Sequence, residues 1–170
     1  MSYRKLTAEE VEFLVSRGCR AEDWSTVEIT SSDALKYIRN VRFSGTGRFG
    51  RFDAVFTLPG GLKKHSGLRN ATLHNVIIGD NTLVENISDY IANYEIGSDS
   101  YIENVSLLLN DGPCSFGNGV QVSVLNETGG REVRIYDRLS AQEAYVLAMY
   151  RHYPEAVCRL DAMVDEYAKA

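Results

Sequence analysis

The chain has 170 residues, 44% of them hydrophobic and 24% charged, which suits one ordinary globular domain with a sizeable core. Its formal charge of -5 argues against a general nucleic-acid or anionic-membrane surface, since both need a basic footprint; a local basic patch stays open. The opening MSYRKLTAEEVEFLV has no signal-peptide core, and no later stretch approaches the roughly 18 apolar residues of a membrane span, so a soluble protein is expected. Thr7 to Glu10 reads as a capping box, in which the Thr hydroxyl and the Glu carboxylate satisfy exposed amides at a helix start. Val11, Leu14 and Val15 follow at helical spacing and Gly18 suits the helix end. Ala21 to Trp24 offers one further turn, with the single Trp as a packing anchor.

From Ile38 to about Val124 the chain reads as short strands punctuated by Gly, Asn and Asp. Gly60 and Gly61, followed by Lys63, Lys64 and His65, mark a loop that interrupts the early strands. Residues 78–89, IGDNTLVENISD, are echoed eighteen residues later by 96–107, IGSDSYIENVSL. Hexads laid out from Ile78, Val84, Tyr90, Ile96 and Ile102 put a large residue first and, in four of the five, Thr or Ser fifth. A period of six is neither helical nor simple alternation, and short fixed periods belong to stacked repeats that bury an inner face on their neighbours. Three hexads make one eighteen-residue turn of a three-sided coil. After Leu107, LLNDGPCSFGNG breaks the count and FGNGVQVSVLNE is expected to resume it. Ser140 to Glu143 is a second capping box; Ala144, Leu147 and Tyr150 share one face, and after Pro154 a stripe of Val157, Leu160 and Val164 continues, which predicts two closing helices.

The pattern IG-x-x-T-x, VE-x-x-S-x, IG-x-x-S-x, IE-x-x-S-x resembles the hexapeptide repeat of left-handed parallel β-helix proteins, best known among acyltransferases and nucleotide-sugar enzymes. TLHNVIIGDN, ENISDYIANYEIG and LSAQEAYVLAMYRH, with FGNGVQVSVLNETGGREV, also resemble an uncharacterised bacterial family of longer hexapeptide-repeat proteins, in which a further β-helix usually follows such helices. The expected fold is mainly β: a short left-handed parallel β-helix over 38–136, an N-terminal helical segment over 1–37 and a C-terminal helical hairpin over 137–170, in one compact unit. On that scheme 1–170 is the amino-terminal portion of a longer chain.

If the first and fifth residues of a hexad face inward, alternation along a strand turns the fourth and sixth outward. Asn81, Leu83, Asp99 and Tyr101 are then exposed on one face, and Ile87, Asp89, Val105 and Leu107 on another. Ile87, Val105 and Leu107 are too apolar for free solvent and form a candidate interface, covered by the terminal helices or by another subunit. Between Tyr90 and Tyr94 two registers stay open, one with both rings inward and one that aligns Leu73 with Ile91 and turns Ile91 inward. Asn86 over Asn104, and Asn75 over Asn93, are expected to form amide ladders at corners that need left-handed backbone.

The resemblance implies a homo-oligomer, with a trimer favoured, and a scaffold or assembly role without a cofactor. Its enzymatic alternative is an acyl- or nucleotide-sugar-type transferase that takes acetyl-coenzyme A and a sugar-like acceptor, with His74 as general base. The family's catalytic motif is not reproduced around TLHNV, which favours a corner role for His74. His65 and His152 read as structural. Glu85 and Glu103, one turn apart, must stay hydrated, find a cation or share a proton. Lys63, Lys64 and His65, or Arg48 and Arg51, offer phosphate contacts but read first as solvated loop charges. Gly45 to Gly50 spells G-x-G-x-x-G, yet a strand rather than a helix follows, so no dinucleotide site is expected. Cys19, Cys114 and Cys158 lack metal or redox spacing and read as reduced thiols, which makes the expected compartment cytoplasmic. The sequons at Asn70, Asn86, Asn104 and Asn126 are byproducts of an Asn-rich repeat.

Overall fold

A computed structural model of the protein describes residues 2–123 and 132–169; the sequon at Asn126 and the end of the FGNGVQVSVLNE stretch lie outside the described residues. The chain divides into two compact units, Met1–Asp111 and Gly112–Ala170, where the sequence reading set its boundaries at 37/38 and 136/137. It is mainly β, with helices towards both ends.

The first unit carries β1 (Arg4–Lys5), α1 (Ala8–Ser16), β2 (Arg20–Ala21), β3 (Val27–Ile29), β4 (Ile38–Phe49), β5 (Val55–Thr57), β6 (Lys63–His65), β7 (Gly67–Ile78), β8 (Leu83–Glu85), β9 (Tyr90–Ile96), β10 (Tyr101–Glu103) and β11 (Leu107–Leu109). The first helix starts where the sequence says it must. Thr7 Oγ1 accepts from Glu10 N and Glu10 Oε2 accepts from Thr7 N, closing the capping box. Residues 24–26 form a 3-10 turn capped by Asp23, and Trp24 packs on Phe43 with ring centroids 6.0 Å apart.

All but β5 and β6 of these strands join one mixed sheet, in which only the short β1–β3 pair is antiparallel. β4 runs parallel to β7, which pairs in turn with β8 near its start and β9 near its end. β8 pairs with β10 and β9 with β11. Apolar side chains stack along these registers. Ile38, Leu68, Val84 and Ile102 follow one another across the sheet, as do Phe43, Leu73, Ile91 and Leu108, and Ile29, Phe49, Ile78 and Ile96. All three rows belong to one core, with Ile102 and Leu108 half-buried against it. The register left open in the sequence takes the setting with Leu73 beside Ile91: Ile91 is fully buried, while Tyr90 and Tyr94 are half-buried.

Residues in the left-handed region bend β4, β7 and β9 from within, at Asn40, Asn70, Asn75 and Asn93, and join successive strands at Asn81, Asn86, Asp99 and Asn104. Asn40, Asn70, Asn86 and Asn104 have φ between 49° and 57°, Asn75 and Asn93 have 50° and 56°, and Asn81 and Asp99 have 59° and 58°. Asn and Asp tolerate this conformation better than other residues with a Cβ. At Gly45 (φ 59°) the register of β4 on β7 slips, and a Cβ there would collide with the side-chain amide of Asn75. No helix follows Gly50, so the glycine string belongs to a strand and its turn.

Two expectations about exposed residues are overturned. Ile87 lies in the core because Asn86, at φ 56°, interrupts the alternation that was counted through it. Leu83 is also buried; its register partner Tyr101 packs edge-on against Phe56 of the antiparallel β5–β6 hairpin, an insertion that lies over this row. That hairpin turns through Gly60 and Gly61, at φ 83° and 85°.

The second unit contains β12 (Gln121–Ser123), β13 (Glu132–Arg134), α2 (Ala141–Met149) and α3 (Pro154–Tyr167). The six-residue count does not resume here. β12 pairs with β13 in antiparallel register after a stretch in which Phe116, Gly117 and Gly119 all have positive φ, so no run long enough for a parallel strand precedes it. Ser140 and Glu143 close the second capping box, and Val133, Leu147 and Ala148 form a small core with Leu139, Val157 and Leu160 against it.

Candidate functional site

His74 stands on β7 beside Ser44 of β4. Asn75 decides its state. The Asn75 Oδ1 accepts from Thr46 N at 3.0 Å, so its Nδ2 is the atom that reaches Asn93 Oδ1 at 3.2 Å and His74 Nε2 at 2.9 Å. Nε2 therefore accepts, and Nδ1 carries the ring proton and donates to Ser44 Oγ at 2.6 Å. A general base needs a lone pair aimed at its substrate. In this arrangement the imidazole's lone pair is spent on the Asn75 side-chain amide.

The asparagines form two chains of amide bonds. Asn40 Nδ2 donates to Asn70 Oδ1 and Asn70 Nδ2 to Asn86 Oδ1, both at 2.9 Å, and Asn86 Nδ2 donates to Asn104 Oδ1 at 3.3 Å. In the other chain Asn75 donates to Asn93, whose Nδ2 donates to the Asn110 carbonyl at 2.9 Å. Each side chain bonds the next strand over while its backbone makes the turn, so conformation and cross-strand bonding select the same residue.

Glu85 and Glu103 are register partners on β8 and β10, and they find a cation. Lys64 of the inserted hairpin donates to Glu85 Oε2 at 2.8 Å and to Glu103, while Tyr101 donates its hydroxyl to Glu103 as well. Lys64 holds the Glu103 carboxyl below its ordinary range, with Tyr101 assisting, and the two carboxylates in turn raise the Lys64 ammonium. Arg69 approaches Glu85 at 3.6 Å and donates to the His65 carbonyl at 2.7 Å. His65 stacks on Tyr37 with centroids 3.7 Å apart. Lys64 and His65 are thus held by neighbours, and Lys63 is exposed. Arg48 pairs with Glu28 at 2.8 Å and Arg51 lies near Asp53 and Asp80.

Of the candidate interface residues, Ile87 is unavailable to a partner, Val105 is half-buried against the core, and Leu107 is 44% exposed on β11, with Leu109 beyond it at 42%. His152 lies among the rings of Tyr150 and Tyr153. All three cysteines are free, Cys19 buried and the other two exposed; burial raises the Cys19 thiol. Among the described residues no group of three or more His, Cys, Asp or Glu is placed to hold a metal ion, and no helix is long and apolar enough to cross a membrane.

A family model described as "Domain of unknown function (DUF4954)" matches residues 3–170. The chain belongs to that family. It is also 24% identical, over 182 aligned positions covering 97% of its length, to an "Uncharacterized protein" of Treponema pallidum (strain Nichols). The alignment spans 24% of that relative, so the chain accounts for about a quarter of the relative's length. No solved structure matches.

The sequence reading missed Arg17, Arg39 and Arg69 of this DUF4954 chain. Arg39 and Arg69 are register partners on β4 and β7, thirty residues apart because the β5–β6 hairpin intervenes. Arg17 closes α1 beside them, its Nε donating to the Ile38 carbonyl at 2.8 Å and its own carbonyl accepting from Asn40 N at 3.0 Å. A search at eighteen-residue spacing passes over all three.

Proposed function

We propose that Ile38–Leu109 forms a short left-handed parallel β-helix of the hexapeptide-repeat kind and that the chain is a non-catalytic scaffold or oligomerisation module. One observation carries this reading. The residue best suited to chemistry, His74, has both ring nitrogens engaged by Ser44 and Asn75, and Asn75 is itself a link in an amide chain. Parallel register at a spacing of eighteen, as in Ile78 beside Ile96 and Val84 beside Ile102, supports the coiled form, as do left-handed residues between successive strands. Leu107 and Leu109, exposed on a strand that pairs only with β9 among the described residues, supply the sticky edge that self-association needs, and a closed trimer is the proposed assembly. Three free thiols fit a reducing, cytoplasmic setting.

The test has two parts. Light scattering on the intact chain should give a trimer, and Leu107→Glu with Leu109→Glu should give a monomer; a monodisperse monomer at the outset removes the assembly role. A thermal-shift panel of acetyl-coenzyme A and nucleotide sugars should leave the melting temperature unmoved, because a ligand stabilises only what it binds. A saturable rise with any of them, lost in His74→Ala, would reinstate the transferase.

A further inference from the structure

One row of charges runs across the sheet. Arg39, Arg69, Glu85 and Glu103 are successive register partners on β4, β7, β8 and β10, and Arg17 sits beyond Arg39. Neighbouring strands are about 4.8 Å apart, so like charges in register repel unless a counter-ion lies between them. At the acidic end that counter-ion is Lys64, which bridges Glu85 and Glu103. The basic end has no equivalent. Glu85 already serves Lys64 and approaches Arg69, Arg17 is committed to the carbonyls of Ile38 and Lys36, and neither Arg39 nor Lys63 has an ion pair among the described residues. Lys36 reaches only Asp33, at 3.6 Å on the open surface, and lies 5.1 Å from the Tyr37 ring that His65 stacks upon.

These cations share a surface depression of about 340 Å³. Arg17, Lys36, Arg39, Lys63, Lys64 and Arg69 line it, with Glu85 the only carboxylate among the lining residues. In a chain of net charge -5 such a gathering is not a consequence of composition. We propose that the depression is a binding site for a phosphate group, free or carried as the monoester of a small ligand. The guanidinium of Arg39 and the ammonium of Lys63 are the unspent donors, and Arg69 and Arg17 supply field from behind. A dianionic oxyanion meets several fixed cations at once, and guanidinium groups bind phosphate through paired N–H donors. The volume lies at the small end of the range for ligand sites, which suits a compact anion better than an extended polymer.

The experiment is calorimetric titration and thermal shift of the intact chain with inorganic phosphate and with glycerol phosphate, against sodium chloride at matched ionic strength. Saturable binding is expected, weakened roughly tenfold or more by Arg39→Gln and by Lys63→Gln, since each removes a charge-assisted contact. Arg42→Gln, an exposed charge that does not line the depression, should leave it unchanged. Tighter binding of the monoester would identify a ligand-borne phosphate, and tighter binding of the inorganic ion a free one. Without phosphate, Arg39→Gln should raise the melting temperature at low salt, because it relieves the repulsion from Arg69; a merely structural arginine would lower it. Shifts matched by chloride, or phosphate binding that survives both substitutions, would overturn the proposal.

Discussion

The two compact units use the same kinds of element to different depth. In Met1–Asp111 the core runs without a break from Leu14 to Ile96, and rows such as Phe43, Leu73 and Ile91 bury each residue against register partners on both sides. In Gly112–Ala170 the buried cluster is Val133, Leu147 and Ala148, while Tyr145, Met149 and Tyr153 stay exposed. Apolar burial is the dominant favourable term and ordering the chain the dominant cost, so the first unit holds most of the margin. Stacking converts a short strand, too small to bury anything alone, into part of a continuous interior.

The largest effect that tests this contrast is a cavity in each core. Leu73→Ala should lower the protection of β7 amides against hydrogen exchange by about 2–5 kcal/mol, the usual range for a fully buried leucine. Leu147→Ala should cost the amides of α2 about 2 kcal/mol, since a thin core collapses more readily around the gap. If α2 proves better protected than β7 before any substitution, the ranking of the two units is wrong.

How much of this was legible depends on where a residue's neighbours come from. Asn75 with Asn93 and Asn86 with Asn104 can be read directly, because a left-handed backbone position recurs eighteen residues on in both pairs and Asn is the residue that both tolerates it and bonds its copy. Both capping boxes are local and equally visible. Ile87 was misplaced because strand alternation does not survive a turn at Asn86. Leu83 was misplaced because what covers it comes from an insertion some twenty residues earlier, which no periodicity announces. Lys64 was read as a solvated loop charge for the same reason. The arginine row was missed because the hairpin stretches its spacing to thirty, and the lysines that complete the basic cluster lie on other elements.

A smaller effect, of opposite sign in the two units, comes from the left-handed positions. Among the described residues, every such residue with a Cβ in the first unit is Asn or Asp, and in the second it is Phe116 at φ 52°, 76% exposed. Asn86→Ala should cost about 2–3 kcal/mol, combining backbone strain with lost amide bonds to Asn70 and Asn104. Asn86→Gly removes only the bonds and should cost about 1 kcal/mol. Phe116→Gly relieves the backbone strain of a positive φ at a residue with a Cβ and should stabilise by about 1 kcal/mol. Chemical denaturation of the three variants measures all of this, and a destabilising Phe116→Gly would mean that the phenylalanine is kept for its contacts.

The smallest difference is between the two capping boxes. Thr7→Ala and Ser140→Ala should each cost about 1 kcal/mol in denaturation, because each cap satisfies one helix amide. Their acids diverge. Glu10 is held at about 2, first by its hydrogen bond to Arg4 and further by the Thr7 amide and Ser32. Glu143 is held below the ordinary range chiefly by Ser140, through the amide and then the hydroxyl, and next by the Tyr136 hydroxyl, with no cation involved. A carboxyl whose value is depressed by folding adds stability above its unfolded value and loses it as pH falls through the folded one. The Glu10 contribution is therefore complete above the ordinary glutamate range and fades as pH falls towards 2. Salt should distinguish the two, because it screens the exposed Arg4 charge and leaves a neutral amide untouched. Carboxyl titration followed by NMR at low and high ionic strength should move Glu10 upward and hold Glu143 in place, and Arg4→Gln should produce the same upward movement without salt; equal movement of both acids would mean that the backbone, not the arginine, sets the value of Glu10.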